Sequence, residues 1–167
     1  MIDKDSTTNV AKSILVVKDA EAETSDVNYA IYKGVGETDE DGTLHTFYVA
    51  GEQVQYYVGT TLAAGLSANT VYDITVTDGV VTAASAATKA SSYAFKVAYV
   101  DDTFMIIKYE SYTITVYFKD GCAVYNKDNS YKADVIEVND IVYVYDVTDG
   151  TEANTTWKDA KLVIIDN

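Results

Sequence analysis

The sequence predicts an all-β chain: two small antiparallel β-barrels or sandwiches in tandem, joined by a short Ala/Ser-rich linker. Three observations predict it. Tyr, Val, Thr and Ile dominate the strand-like runs, and these residues suit a pleated, half-buried surface. Four Asp-Gly pairs, Asp41-Gly42, Asp78-Gly79, Asp120-Gly121 and Asp149-Gly150, each abut such a run, and Asp-Gly supplies the positive-φ residues of a tight hairpin. The tetrapeptide VTDG closes two similar stretches, at 76–79 and 147–150.

The elements follow in order. TLHTFYVA at 43–50, TVYDITVT at 70–77, DIVYVYDV at 140–147 and AKLVIID at 160–166 all read as strands. SYTITVYF at 111–118 alternates most cleanly, with Tyr112, Ile114, Val116 and Phe118 on one side and Ser111, Thr113, Thr115 and Tyr117 on the other. No helical periodicity competes. AAGLSA at 63–68 and ASAATKASS at 84–92 are short Ala-rich stretches that read as loops or one helical turn.

The two similar stretches are 46–79 and 115–150. Each holds a strand, a Gly-containing turn, a second strand ending near Tyr, a polar loop, and a small apolar element (Leu66, or Val135 and Ile136). A Val-Tyr strand and VTDG follow. Repetition on this scale marks stacked or strung modules. The expected units are 1–88 and 89–167, with 83–92 as the connector, because small side chains bury little apolar surface. AKSILVVKD at 11–19 echoes AKLVIIDN at 160–167, so residues 1–19 read as a strand of a preceding repeat or the first strand of this one. The start, MIDKDSTTNV, lacks a charged n-region and apolar h-region and reads as a Met placed on a piece of a longer protein.

Charge narrows the function. The chain carries 26 acids against 12 bases, a formal charge of −14, and every base is Lys. Nucleic-acid binding needs a basic face to displace counterions and Arg forks to read bases, and anionic membranes are disfavoured for the same reason. No apolar run reaches the ~18 residues of a membrane helix. One cysteine, Cys122, excludes an internal disulfide, so packing must hold the fold.

No residue pattern points to catalysis. His45 is the only histidine, no nucleophile elbow accompanies it, and it reads as a surface or packed strand residue. Cys122 reads as a small buried hydrophobe, and one His with one Cys argues against zinc. Calcium takes oxygen ligands, and Glu37, Asp39 and Asp41 alternate in ETDEDG at 37–42, so they form the candidate calcium set. Asp101 and Asp102, and NKDNS at 126–130, are weaker versions of the same signal, and EF-hand spacing is absent. With 26 acids, paired carboxylates for glycoside hydrolysis carry no information. Fifteen Tyr, four Phe and Trp157 invite a sugar-stacking reading through Tyr143 and Tyr145 or Tyr56 and Tyr57, against half-buried strand packing. Trp157, just before the last strand, is placed to cap a barrel end.

The order YAIYKGVGETDEDGTLHTFYVAGEQVQYYV followed by GLSANTVYDITVTDGVVT resembles the β-rich repeats of bacterial surface-layer (S-layer) proteins that anchor through S-layer-homology domains. Tyr-Ala-x-Tyr, Gly-x-Gly, x-Val-x-Gly and an Asn-led Val-Tyr strand closing at Asp-Gly carry the resemblance, most fully over 25–83. It implies a structural, non-catalytic module of a secreted cell-surface array. The expected partners are other copies, neighbouring envelope proteins or surface glycans, and the expected location is the cell wall. The alternative is a carbohydrate-binding or adhesin module of a surface protein. The sequence alone therefore predicts that His45→Ala and Cys122→Ala leave fold and assembly intact, checked by circular dichroism and light scattering.

Overall fold

The structure is a computed structural model that describes residues 28–150 and 155–167. The stretch at 11–19 lies outside the described residues. Those described are nearly all strand: β1 (Asn28–Thr38), β2 (Thr43–Val49), β3 (Glu52–Val58), β4 (Val71–Thr77), β5 (Val80–Ala86), β6 (Phe95–Val100), β7 (Phe104–Tyr109), β8 (Tyr112–Asn126), β9 (Lys132–Ala133), β10 (Ile141–Tyr145) and β11 (Thr156–Ile165). One helical turn, α1 (Thr60–Ala63), separates β3 from β4.

The strands close into two barrels. In the first the order around the barrel is β1-β2-β3-β5-β4, with β4 pairing back to β1. In the second it is β6-β7-β8-β11-β10, with β10 pairing back to β6, while β9 hangs on the far part of β8. Counted within each barrel, the connectivity is identical. This is a closed five-stranded Greek-key barrel, the architectural class of the OB-fold. Both barrels close through one parallel pair, β3 with β5 and β8 with β11, so they are not wholly antiparallel as expected. Closure requires it: a strand returning from the far side of the barrel meets the third strand running the same way.

The VTDG copies occupy equivalent places. The first closes β4 and the second follows β10, the fourth strand of each barrel, which is why the motif is written twice. At the first copy Asp78 and Gly79 take φ values of 50° and 78°, the both-positive pair of a two-residue type I′ hairpin. At the second, Asp149 takes φ 60° in the longer β10–β11 connection. Upstream the expected alignment slips by one strand, because 46–49 falls in β2 whereas 115–118 falls in β8, the third strand of its barrel. Asp120-Gly121 is also not a hairpin. It lies inside β8, where the β11 register jumps from Ala160–Phe118 to Leu162–Ala123 and Gly121 takes φ 77°. A bulge of this kind turns a long strand around a barrel corner.

The expected linker is partly strand. Residues 83–86 pair with β4 as the end of β5, and the chain from 87 is tied to β10 through Ala90 N–H to Val144 O, 2.9 Å. Small side chains here serve close approach of backbones rather than flexibility.

Each barrel has its own core. Phe47, Ile74 and Val81 fill the first with Ala30 and Tyr32. Phe95, Met105, Ile107, Val116 and Trp157 centre the second. Trp157 is part of β11 and fully buried, its ring edge-on to Phe95 at 5.5 Å and 86°, so it is a core residue and not the cap expected of it. Truncating it empties the middle of the second barrel. Trp157→Ala is expected to lower stability by about 3–5 kcal/mol, read from chemical denaturation.

Candidate functional site

The acidic turn between β1 and β2 is organised by Asp39. One carboxylate oxygen accepts the backbone N–H groups of Asp41 (2.9 Å) and Gly42 (3.1 Å), and the other accepts the Tyr57 hydroxyl at 2.7 Å. The Tyr57 hydrogen bond, followed by the turn amides, holds the Asp39 carboxyl below the usual carboxylate range. The same bond pushes the Tyr57 phenol up to about 12. The Asp39 oxygens are thus spent on closing the turn. Among the described residues, Glu37, Asp39 and Asp41 are not brought together as a metal-holding group.

His45 points into the first barrel and is almost wholly buried. It follows the period-two logic of β2, on the same side as Phe47. Its Nδ1 and the Tyr32 hydroxyl share a hydrogen bond of 2.9 Å, and the two rings lie 5.7 Å apart. Burial holds the imidazole pKa below its ordinary value. Of the two places expected for it, surface or packed strand, His45 takes the packed one, so His45→Ala removes buried contacts even where the fold survives. Cys122 sits half-buried beside the second core, and burial pushes its thiol up to about 12, which leaves little thiolate at neutral pH.

The densest polar and aromatic arrangement lies where the barrels meet, and it was not legible as a site beforehand. Tyr29, Ile31 and Val71 of the first barrel pack against Tyr125, Tyr145, Leu162 and Ile164 of the second. Asp146, with φ 50° just after β10, accepts the Tyr29 hydroxyl at 2.7 Å and the Thr88 N–H at 2.8 Å. Its own N–H donates to Thr88 O at 2.8 Å. One residue of the second barrel thereby grips the connector and the first strand of the first barrel together. The Tyr125 hydroxyl adds a bond to Tyr29 O at 3.3 Å.

Burial shifts two of the ionisable groups at this junction. Burial, then the Asp146 hydrogen bond, raises the Tyr29 phenol far above its ordinary value, so it remains a donor. Burial, then Asp146, also raises the Asp73 carboxyl, and Lys161 offsets part of the shift. Lys89 of the connector lies 3.7 Å over the Tyr143 ring. Gly51, at the β2–β3 hairpin with φ 81°, meets Lys132 of the second barrel so closely that a Cβ would overlap it. Tyr143 and Tyr145, read from sequence as possible sugar platforms, are thus engaged in joining the barrels. Tyr56 packs on Phe47 at 6.0 Å, and Tyr57 binds Asp39. The one sequence signal for the junction is an acid set directly behind an apolar Tyr-Val-Tyr run, at Asp146.

The sequence matches no protein-family model and no curated protein. Among the described residues, no helix is long and apolar enough to cross a membrane.

Two outcomes follow from these placements. His45→Ala leaves a cavity and an unpaired Tyr32 hydroxyl, and is expected to lower stability by about 2–4 kcal/mol. Because the folded-state pKa lies below the unfolded one, the His45 contribution is whole above about pH 6.5 and is lost as pH falls from there toward the folded value. The pH dependence of denaturant midpoints should lose that component in His45→Gln. Asp146→Ala leaves the part-buried Tyr29 hydroxyl without its acceptor and turns the exposed Thr88 N–H to water, at about 1–2 kcal/mol. Calorimetry of the unsubstituted chain should show one transition, and Asp146→Ala should split it into two.

Proposed function

We propose that this chain is a structural, non-catalytic module of a secreted bacterial cell-surface or S-layer array protein, acting in spacing and lateral self-association. The observation that supports this reading is the junction. Two barrels of identical connectivity are locked by the Tyr29–Asp146–Thr88 bonds and the apolar cluster around them. A module that sets distances needs such a joint, since a loosely linked pair transmits neither position nor force. Closed barrels hide strand edges, so neighbours meet through outer faces and loops. The charge of −14 keeps those contacts weak individually and suited to multivalent packing. The S-layer resemblance of the Tyr-Ala-x-Tyr and VTDG-closed repeats favours the extracellular setting. Partners are then other copies or neighbouring envelope proteins, with calcium bridging acidic faces where it is present.

Light scattering over a concentration series, with and without millimolar calcium, tests this. The expected outcome is a reversible rise in mass with concentration, strengthened by calcium. A strict monomer throughout would remove lateral association from the reading.

A further inference from the structure

The outer face of β6, β7 and β8 carries a row of aromatic side chains that neither core uses. Tyr99, Phe104 and Tyr117 stand on three adjacent strands with successive ring centroids 5.4 and 5.7 Å apart. Tyr99 and Tyr117 are each 45% exposed. The register sets the row: Phe104 lies directly opposite Tyr117, and an irregularity between Val97 and Tyr99 turns Tyr99 outward. One end is pinned. The Tyr99 hydroxyl donates to Asp101 at 3.1 Å, and the other Asp101 oxygen accepts from the Thr103 hydroxyl and the Thr103 and Phe104 amides. The β6–β7 turn that holds Asp101 also borders a cavity of about 600 Å³, lined further by Asp102, Lys119, Asp120 and Asp134.

We propose that this face binds a neutral, extended polysaccharide chain, whose pyranose rings stack on Tyr99, Phe104 and Tyr117 and whose hydroxyls reach the polar rim of the neighbouring cavity. The proposal goes beyond the spacer role and does not depend on it. The chemistry favours a sugar over other occupants. Pyranose rings present C–H faces to aromatic faces and hydroxyls to carboxylates, which is the mix offered here. The acids at the rim disfavour an anionic ligand, and the net charge of −14 disfavours nucleic acid. A protein partner would need about 800 Å² on this side, whereas three aromatic side chains offer at most about 250 Å² each before partial burial. A row set in closed-barrel strands loses little freedom on binding.

Calorimetric titration of the full chain with cellohexaose, the fully N-acetylated chitin hexamer and, as charged control, a galacturonate hexamer tests it. Saturable binding of at least one neutral hexamer is expected, with none of the galacturonate. The double variant Tyr99→Ala, Tyr117→Ala should weaken binding at least about tenfold, or about 1.4 kcal/mol. Tyr99→Phe with Tyr117→Phe should keep most of it, and Tyr112→Ala, exposed on the same strand but outside the row, should keep all of it. Shift perturbations in the unsubstituted chain should centre on the row, which removes dependence on the variants folding. No binding of either neutral hexamer up to their solubility, or binding unchanged in the double Ala variant, would overturn the proposal. So would a concentration-dependent mass that the double Ala variant abolishes, since that assigns the row to a second copy.

Discussion

Barrel closure is the constraint on which the rest of the molecule depends. Short strands rich in Val, Ile and Tyr present unpaired backbone groups at every edge, and an open sheet of them would pair with other chains. The parallel seams, Tyr57–Val80 and Val58–Val81 in the first barrel and the long β8–β11 ladder in the second, join the edges to each other. Closure then defines an inside. His45, Phe47 and Trp157 are buried because they alternate onto that side, Tyr117 is exposed because it does not, and Tyr99 is exposed because the irregularity after Val97 turns it outward. The bulge at Asp120-Gly121 is part of the same requirement, since β8 must bend to serve neighbours on both sides.

The junction is a second level built on the first. Two closed barrels have no backbone pairing left to share, so they are joined by side chains and by the connector. Burying tyrosines there removes apolar area from water but strands their hydroxyls unless partners are supplied. Asp146 supplies one and holds the connector with the same carboxylate. A half-buried carboxylate that holds the first barrel and the connector at once disfavours alternative arrangements of the two barrels, because a shift breaks both bonds. The tyrosine content of the chain is therefore divided. Tyr29, Tyr125 and Tyr145 join the barrels, Tyr32 and Tyr72 fill the first core, and Tyr99 and Tyr117 remain on the surface.

That division bears on function. A spacer needs a stiff joint and closed edges, and the buried tyrosines serve both. A surface polymer ligand needs a rigid aromatic strip, and the row proposed for it on barrel two is stepped, with Tyr99 and Tyr117 tilted by 32° and 41° to Phe104 between them. On barrel one the outer side of β2 and β3 holds polar residues such as Thr46 and Gln55, hydrogen-bonded at 3.4 Å. The two barrels thus share a scaffold while differing in what they show to the outside.

The all-β class, the tight turn at Asp78-Gly79 and the pairing of the two VTDG copies were determined by the sequence itself. Period-two alternation and positive-φ turn residues act locally, and a local signal survives without knowledge of the partner strand. Packing of His45 beside Phe47 was legible for the same reason. The parallel closing pairs, the strand character of 83–86, the burial of Trp157 and the role of Asp146 were decided only by the tertiary structure. Each depends on which distant strand lies alongside, and pairing between β8 and β11, or between Tyr29 and Asp146, leaves no trace in local periodicity. The acids at 37–42 show the limit from the other side: Glu37 ends up in β1, and the turn after it closes on Asp39 through the Asp41 and Gly42 amides and the Tyr57 hydroxyl.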